Sequence, residues 1–348
     1  MTLRVATIGC GFQGRLHLAC LSDLPDVEIV AVCDVDAARA GAAAEAHGAR
    51  AYSDYRELLA AERVDLLTIC TMPNTHRAIA VEAFARGAHV FCEKPFALNL
   101  GEAREIAEAA LATDRLLAIG FNLRYTDCAA SVRRFIGDGG LGAPVCARGW
   151  MLAEDVPWWG RHYDTAVSGG GALAATAVHM LDLVLWLAGN PAPVTATAST
   201  ARIFPRKRAA TAPSPEAAAA YDAEDVVFGH IRCEGGFWLS IEGSWVWDDP
   251  GGGWNYSFDL VGDHGQARLV PLRLTREVDG RLADVTGDAP ALFDFEASTR
   301  LEVRDVVAAV REGRAPLVRP EQALAVQAAV DALYRSARLG HEVEVERV

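Results

Sequence analysis

The sequence predicts an α/β protein in which a doubly wound parallel sheet is followed by a second α/β domain with a large, mostly antiparallel open sheet. Three features support this prediction: apolar strands alternate with helices in the first third, a glycine-rich turn joins the first strand to the first helix, and consecutive strands follow residue 193. Continuous apolar strands that alternate with helices form parallel sheets covered on both faces, whereas runs of strands form antiparallel sheets.

Each element follows from a local pattern. In the first third, the apolar runs predict strands at 3–8, 27–33, 65–70, 88–92 and 116–120. The segments between them predict helices at 12–22, 36–47, 54–61, 75–86 and 100–112. Beyond them we expect strands at 145–152, 193–203, 225–232, 236–247, 255–262 and 266–270, and helices at 172–188, 297–312 and 320–338. The alternation stops near residue 121, so we predict one domain at 1–122 and a second at 123–348.

The glycine-rich turn has the pattern G-x-G-x-x-G between a strand and a helix. Gly9 would allow the tight turn, Gly11 the close approach of a pyrophosphate, and Gly14 the packing of helix on strand. Asp34 ends the second strand, where a carboxylate meets the ribose 2′-hydroxyl of a dinucleotide. It could also cap the next helix. Because Asp34 and Asp36 would repel a 2′-phosphate and no arginine directly follows Asp34, we expect NAD rather than NADP.

Ligands in parallel sheets bind beyond the carboxyl ends of the strands, and three polar stretches lie there. Residues 71–76 follow the third main strand, although Asn74 could instead cap a helix. The sequence Glu93-Lys94-Pro95 follows the fourth. Burial and a nearby positive nicotinamide would lower the pKa of Lys94 and make it a usable base, whereas the alternative is a surface Glu–Lys pair. The third stretch, residues 121–125, marks the crossing to the second domain.

Two features of the second half are candidates for chemistry. His179 and Asp182 share one face of the predicted helix at 172–188, although a lone histidine in an apolar helix is usually a core residue. The aromatic loop at 157–163 could line a substrate site or simply pack between domains. Trp158, Arg161 and His162 are its candidate substrate contacts.

Composition excludes several classes of partner. The formal charge of −13 argues against nucleic acid and anionic membranes. No run reaches the 18 or so apolar residues of a membrane span, and the chain opens directly into a strand rather than a signal peptide. The eight cysteines form no C-x-x-C pair, which favours reduced thiols in the cytoplasm. No cluster of histidine, cysteine or carboxylate has the spacing of a metal site.

Together these motifs resemble the Gfo/Idh/MocA family of oxidoreductases, which includes glucose–fructose oxidoreductase and inositol dehydrogenase. The matching segments, in chain order, are GCGFQGRLH at 9–17, TMPNTH at 71–76, EKP at 93–95, GGGAL with the downstream His179 and Asp182, and RSARLGHEVEV at 335–345. The resemblance implies a Rossmann domain, a C-terminal domain whose sheet mediates dimers or tetramers, and hydride transfer between NAD(P) and a sugar, cyclitol or similar polyol.

The resemblance also implies roles for individual residues. Lys94 matches the family lysine that contacts the reacting hydroxyl, and His179 the histidine that acts as general acid or base. Many relatives carry an aspartate four residues before this histidine, where this chain has Ala175. We therefore expect a weaker base at His179 and more of the proton transfer at Lys94. Asp182 matches a residue with a largely structural role in the family.

The full assignment is as follows. The catalytic residues are Lys94 and His179. The cofactor-binding residues are Gly9, Gly11, Phe12, Gln13, Gly14, Asp34, Thr71, Pro73, Asn74, His76, Glu93 and Lys94. The substrate-binding residues are Lys94, Asn122, Arg124, Trp158, Arg161, His162 and His179.

We expect an NAD-dependent oxidoreductase acting on a carbohydrate-like alcohol or ketone, assembled as a homodimer or homotetramer. Two alternatives stay open at this point. One is a glycoside hydrolase or eliminase that oxidises its sugar transiently, and the other is a non-catalytic NAD-binding sensor.

Overall fold

The chain folds into two compact units. The computed structural model describes residues 2–348 except 205, 208, 249–251 and 288–293. The first unit comprises Met1–Asn122 with Phe295–Ala323, and the second Leu123–Asp294 with Leu324–Val348. The sequence assigned 295–323 to the second domain. The structure groups this segment with the first unit because Val303, Val306 and Val307 are buried in that unit's core.

The elements alternate in the first unit and change character in the second. The strands are β1 Leu3–Ile8, β2 Val27–Cys33, β3 Arg50–Tyr52, β4 Leu66–Ile69, β5 His89–Glu93, β6 Leu117–Gly120, β7 Pro144–Ala153, β8 Pro193–Ala201, β9 Val226–Cys233, β10 Trp238–Ser244, β11 Trp254–Gly262, β12 Gly265–Arg268, β13 Arg273–Val278, β14 Arg281–Asp284 and β15 Val343–Glu344. The helices are α1 Phe12–Ser22, α2 Ala37–His47, α3 Tyr55–Ala61, α4 His76–Ala85, α5 Leu100–Ala112, α6 Asp127–Gly137, α7 Thr165–Ser168, α8 Val178–Leu187, α9 Pro215–Ala219, α10 Phe295–Glu312 and α11 Pro320–Leu339.

The first unit is a doubly wound parallel sheet. Its six strands lie in the order β3-β2-β1-β4-β5-β6, and every neighbouring pair is parallel. The central strands β1 and β4 are almost wholly buried, as in parallel sheets covered by helices on both faces. This order places the carboxyl ends of β2, β1, β4 and β5 side by side along one edge.

The second unit is built on a nine-stranded sheet in the order β14-β13-β12-β11-β7-β10-β9-β8-β15. All of its strand pairs are antiparallel except β7 with β10, which run parallel. The fold class predicted from the sequence is thereby confirmed. Glycines let a helix approach this sheet closely: a Cβ on Gly149 would lie 3.4 Å from Met180, and one on Gly243 would lie 2.9 Å from Ala177.

The helix that packs on this sheet begins irregularly. A π-helical segment, Ala172–Ala177, leads directly into α8, and both are buried. By length and composition, Thr165–Leu187 is the one helical stretch among the described residues that could cross a membrane, and its most apolar window is entirely buried within the structure. The core helix of a soluble protein has the same properties.

A buried ion pair anchors α8. Arg124 donates from Nε to Oδ2 of Asp182 at 2.8 Å and from Nη2 to Oδ1 at 2.5 Å. Both side chains are almost wholly shielded from solvent, and the guanidinium also lies over the ring of Trp186. Burial raises the pKa of Asp182, while the neighbouring guanidinium opposes that rise.

We expect Arg124→Met to lower the free energy of unfolding of the second unit by about 3–5 kcal/mol, because it leaves a buried carboxylate without its partner. The matched control is Arg273→Met, which removes an exposed ion pair with Asp284 and should cost less than about 1 kcal/mol. All eight tryptophans lie between residues 150 and 254, so urea unfolding followed by tryptophan fluorescence reports on this unit.

The pH dependence of this experiment has a definite sign. Without Arg124 the pKa of Asp182 rises further above its unfolded value, so the cost should be smaller at pH 5 than at pH 8. Equal losses for the two variants at pH 8 would show that the buried pair is not what stabilises α8.

Candidate functional site

The glycine turn after β1 has the geometry of a phosphate-binding loop. Gly9 has φ +93°, and a Cβ there would lie 2.5 Å from the carbonyl oxygen of Cys70. A Cβ on Gly14 would lie 1.7 Å from the carbonyl oxygen of Gly9. The helix α1 can therefore pack against β1 only if residue 14 has no Cβ. Gly11 behaves differently, because a Cβ there would meet no heavy atom within 4 Å. The loop therefore leaves room beside Gly11, where the amino-terminal end of α1 can receive a pyrophosphate.

Asp34 follows β2 and is held in place by donors on both sides. Its carboxylate accepts hydrogen bonds from Cys10 N at 2.8 Å, Asp36 N at 2.9 Å and Arg39 Nη2 at 3.0 Å. Burial opposes ionisation, but these three hydrogen bonds outweigh it and lower the pKa of Asp34. The capping role left open for Asp34 belongs to Asp36, whose side chain accepts from the N–H of Ala38 and Arg39.

Arg39 was missed by the sequence reasoning, which considered only the residue directly after Asp34. It lies on the first turn of α2, and its guanidinium folds back onto the carboxylate. A carboxylate has about four acceptor positions, so the three donors leave one on Oδ2 for a ribose hydroxyl. Asp34 is thus charged, fixed and still able to accept one more hydrogen bond.

The carboxylate of Glu93, at the end of β5, links the glycine turn to Lys94. Its Oε1 accepts from Gln13 Nε2 at 2.9 Å and lies 2.9 Å from Nε2 of His17. Its Oε2 accepts from the backbone N–H of Lys94 at 3.2 Å. A Cβ on Gly120 would lie 2.8 Å from this carboxylate, so β6 can pass Glu93 only with a glycine there.

The electrostatics of this cluster favour a charged Glu93 beside a less basic Lys94. Burial penalises the carboxylate, but the hydrogen bond and charge of His17, the charge of Lys94 and the hydrogen bond of Gln13 together lower the pKa of Glu93. Burial lowers the pKa of Lys94, and the charge of Glu93 only partly offsets it. The Lys94–Pro95 peptide bond is cis, one of the two geometries that its sequence allows.

His17 was not among the candidate residues, although a signal for it exists in the sequence. It lies one turn after Gln13 on α1, fully buried, and stacks on Phe91 with ring centroids 4.8 Å apart. A histidine on the core-facing side of a helix needs a buried partner, and the carboxylate that ends the neighbouring strand is the natural one.

His76 serves the structure rather than a ligand. Its ring nitrogens lie 3.2 Å from the carbonyl oxygen of Phe96 and 3.0 Å from that of Thr71, and the side chain is fully buried. Burial lowers its pKa. His76 therefore ties the loop after β4 to the loop after β5. The neutral ring donates to one of these two carbonyl oxygens and is fully shielded from solvent, so the structure gives no support to its predicted role as a direct cofactor contact.

The other residues of this loop lie where a cofactor contact is feasible. Pro73 begins a short 3₁₀ turn, Pro73–Thr75, and Asn74 is exposed on it. Neither Asn74 nor Thr75 makes a side-chain cap of α4, so the capping alternative finds no support. Thr71 accepts a hydrogen bond from Thr75 Oγ1 at 2.7 Å.

In the second unit, His179 lies on the first turn of α8 and is 5% exposed. Asp182, one turn further along, is fully engaged by Arg124. Arg124 is therefore a structural cation, and its assignment to substrate binding is corrected for that reason. Ala175, four residues before His179, is packed in an apolar cluster that includes Trp245.

Asn122, the last residue of the first unit, anchors α10. Its Nδ2 donates to Thr299 Oγ1 at 3.1 Å and to Ser298 Oγ at 3.4 Å. The residue is 2% exposed, and its Oδ1 is buried with no hydrogen-bond partner among the described residues. The assignment of Asn122 to substrate binding stays a prediction.

The aromatic loop is organised around Trp158. Its ring lies 5.3 Å from Tyr163, 5.4 Å from Phe204 and 6.1 Å from Tyr221, measured between centroids. The indole Nε1 is buried and has no hydrogen-bond partner among the described residues. Since a buried indole N–H normally finds an acceptor, this donor can bind a ligand.

The two other candidates on this loop are more exposed. Arg161 pairs with Asp164 three residues on, and His162 lies edge-on to Trp159 with ring centroids 6.5 Å apart. Among the described residues there is no group of three or more His, Cys, Asp or Glu side chains that could hold a metal ion.

The structure thus brings two sets of predicted residues together, one in each unit. Along the carboxyl edge of the parallel sheet lie the glycine turn, Asp34, the 71–76 loop, Glu93 and Lys94. In the second unit, the residues before His179 and the aromatic loop belong to one apolar cluster, which contains Ala172 and Ala175 with Trp158 packed against it.

Comparison with known proteins identifies the family. Residues 3–121 match the Gfo/Idh/MocA model described as an oxidoreductase family with an NAD-binding Rossmann fold, and residues 129–268 match the model of the Gfo/Idh/MocA C-terminal domain. D-glucoside 3-dehydrogenase of Escherichia coli is 30% identical over 99% of this chain and 97% of its own length. Inositol 2-dehydrogenase 2 of Saccharopolyspora erythraea is 31% identical over 80% of this chain and 77% of its own length.

A solved structure agrees over nearly the whole chain. GenD2 from gentamicin A biosynthesis, in complex with NAD, is 28% identical, covers 99% of this chain and 96% of its own, and superposes with a TM-score of 0.82. The resemblance drawn from the sequence motifs and the prediction of NAD as cofactor are both confirmed. The chain belongs to the Gfo/Idh/MocA family of NAD-binding oxidoreductases.

Proposed function

We propose that this oxidoreductase transfers hydride between NAD and a carbon that bears a hydroxyl group on a sugar, cyclitol or related polyol. Lys94 is the residue on which the proposal depends. It follows β5 at the carboxyl edge of the parallel sheet, and the buried Glu93 network links its backbone to the helix that begins at the glycine turn. A base fixed beside the cofactor loop is what oxidation of a hydroxyl requires.

The relatives support this substrate class. The two relatives compared above are named for the oxidation of a D-glucoside and of inositol, and the first is covered almost end to end. Both substrates present secondary hydroxyls on a ring. A third relative, 30% identical over 98% of this chain and 89% of its own length, is named D-apiose dehydrogenase.

The chemistry assigns one task to each side chain. Bound NAD supplies the hydride acceptor. The amine of Lys94 takes the proton of the substrate hydroxyl as the C–H hydride leaves, and returns it in the reductive direction. Burial supports this role because it lowers the pKa of Lys94 and so increases the neutral, basic fraction near neutral pH. His179 acts as a second acid or base and, with Ala175 before it, carries the smaller share.

The cofactor is held by the residues along the sheet edge. We assign the pyrophosphate to the turn containing Gly9, Gly11, Phe12, Gln13 and Gly14, and the ribose to Asp34. Thr71, Pro73 and Asn74 lie in the loop after β4, where the nicotinamide half would bind. Glu93 and His76 support these loops from behind, because their polar atoms are engaged within the protein.

Trp158 is the best supported residue of the substrate wall. Its buried indole N–H can donate to a sugar oxygen, and its ring offers an apolar face to the C–H groups of a sugar. Arg161 and His162, on the same loop, are proposed as further contacts. Arg124 is left out because its guanidinium binds Asp182, and Asn122 is proposed as a contact only through its Oδ1, since its Nδ2 donates to Thr299.

We also propose that the chain forms a homodimer or homotetramer through its nine-stranded sheet. Phe228 and Trp238 lie on neighbouring strands, opposite Glu242 and Arg232, and are 44% and 39% exposed. Large exposed apolar side chains grouped on one sheet face are typical of protein interfaces. Sedimentation at micromolar concentration should give a dimer or larger species, and a monomer would contradict this assembly.

A cytoplasmic location is proposed on the state of the thiols. None of the eight cysteines, all of which are among the described residues, forms a disulfide, and six of them are buried. Chains exposed to oxidising compartments commonly pair their cysteines.

Lys94→Ala should leave NAD binding intact and reduce turnover of the best polyol by at least about 10²-fold, because the group that takes the proton is lost. NAD affinity is measured by calorimetry and turnover by absorbance at 340 nm. The sequence contains one other lysine, so Lys207→Ala is the control and should keep normal turnover. Near-normal turnover of Lys94→Ala would refute the assignment.

His179→Ala should reduce turnover less than Lys94→Ala in the same assay, because the position of the usual orienting carboxylate is occupied by Ala175. Both variants are compared at the same saturating NAD concentration. If His179→Ala proves the more damaging change, the account of Ala175 is wrong.

Glu93→Gln should move the acid limb of the pH profile for polyol oxidation to lower pH. The carboxylate of Glu93 raises the pKa of Lys94, so its removal lowers that pKa further and makes the amine neutral at lower pH. With only two lysines in the chain, the pKa of Lys94 can also be followed by ¹³C NMR after reductive methylation. Glu105→Gln, at an exposed carboxylate of α5, is the control and should leave the limb unmoved. A limb that stays in place or rises in Glu93→Gln would contradict the proposed coupling.

A further inference from the structure

A buried carboxylate caps the helical segment that leads to His179. Glu224 accepts the N–H of Gly171 on Oε2 at 2.8 Å and the N–H of Leu173 on Oε1 at 2.9 Å. Its backbone carbonyl accepts the N–H of Ala172 at 3.0 Å. The first N–H groups of a helix have no partner within the helix, and here one residue satisfies three of them.

Tyr334, on α11, completes the cap. Its hydroxyl donates to Oε1 of Glu224 at 2.8 Å and accepts the N–H of Ala174 at 3.2 Å. The glycines before the helix make this approach possible. A Cβ on Gly170 would lie 2.1 Å from the Tyr334 hydroxyl, and one on Gly171 would lie 1.9 Å from the carbonyl oxygen of Glu224. The glycine run of the sequence is therefore needed to seat these two side chains.

The segment between the cap and His179 is also held from the sheet side, where Nε1 of Trp245 donates to Oγ1 of Thr176 at 2.8 Å. It is the π-helical stretch Ala172–Ala177, in which four of six residues are alanine. A π-helical turn is an uncommon conformation that is often found at functional sites. Small side chains provide few interlocking contacts along this stretch, so the cap fixes its amino-terminal end, whereas Arg124 holds α8 one turn beyond His179. His179 lies about two turns beyond this end.

We propose that Glu224, oriented by Tyr334, is a positioning residue that fixes the register of this helix and so places the imidazole of His179 for the reaction. This inference rests on the proposed catalytic role of His179. It assigns a function to a carboxylate that neither the family motifs nor the assignment of site residues includes.

The charge state of the cap provides a distinctive signature. Burial raises the pKa of Glu224 to about 7, although the hydrogen bonds from Leu173, Tyr334 and Gly171 favour the charged form. The ionisable groups beside it are Tyr334 on α11 and, on its own segment, Tyr221 and Asp225. When Glu224 takes up a proton below its pKa, the proton binds a carboxylate oxygen that already accepts a backbone N–H. Protonation therefore weakens the cap.

The kinetic test compares two neighbouring buried carboxylates. Glu224→Gln should lower kcat for polyol oxidation by about tenfold, with KM for NAD unchanged, because a shift of the helix misplaces a reacting group. Asp225→Asn is the matched control. Asp225 also accepts backbone N–H groups, from Ile203 and Phe204, but none from the helix, so its kcat should stay within about twofold of the wild type. Equal kcat values for the two variants would overturn the positioning role.

A second measurement does not depend on activity. Hydrogen exchange at the amides of Leu173 and Ala174, corrected for intrinsic rates, should show protection that falls about tenfold in the wild type between pH 8 and pH 6 and is already low in Glu224→Gln. If these two amides are equally protected in the wild type and in Glu224→Gln, Glu224 does not cap the helix. If the wild type oxidises no polyol, the proposed function fails while the exchange result still decides the cap on its own. If polyols are oxidised and Glu224→Gln keeps full kcat, only the positioning role fails.

Discussion

The buried carboxylate of Glu93 is the constraint on which the first unit's chemistry depends. A carboxylate removed from water is stable only when its oxygens are paired, and Glu93 finds three partners: a glutamine and a histidine on α1, which begins at the glycine turn, and the backbone N–H of the following residue. Each partner belongs to an element that must be positioned for the reaction. The interaction that stabilises the charge therefore also fixes the glycine turn relative to Lys94.

The same arrangement recurs in the second unit. Asp182 is neutralised by Arg124 in the middle of α8, and Glu224 holds the segment before it through backbone N–H groups and a tyrosine. In each case a buried carboxylate orients an element that bears a reactive side chain. Glycines without a Cβ then let strands and helices come close enough for these contacts, as at Gly120 and Gly171.

Much of the fold could be predicted from the sequence because its signals are local. The bounds of β1, α1 and β2 follow directly from apolar runs and the glycine turn. The sequence missed β3, which has only three residues, and the last two strands at one end of the large sheet, β13 and β14, whose mostly exposed side chains give no apolar pattern. It also missed the amphipathic helix α6, which lies between the predicted crossing at 121–125 and the strand predicted at 145–152.

The sequence predicts the role of a site residue well when that role depends on backbone shape. It predicts the role less well when it depends on which group the side chain bonds to. The roles of Gly9 and Gly14 follow from the motif, and the structure gives the steric reason for each. Arg124 and His76 have side chains that could contact a ligand. The sequence alone does not show that Arg124 is bonded to Asp182, or that the His76 ring lies between two carbonyl oxygens. Arg39 was missed because its hydrogen bond to Asp34 depends on the direction in which α2 runs, which the sequence does not show.

The central claim is that Lys94 is the group that receives the proton of the reacting hydroxyl. A crystal structure of the chain with NAD and a polyol that the protein oxidises tests it most directly. The account predicts that Nζ of Lys94 lies within about 3.2 Å of the hydroxyl oxygen on the carbon that faces the nicotinamide. A bound substrate whose reacting hydroxyl contacts other groups, with Lys94 turned away from it, would contradict the account.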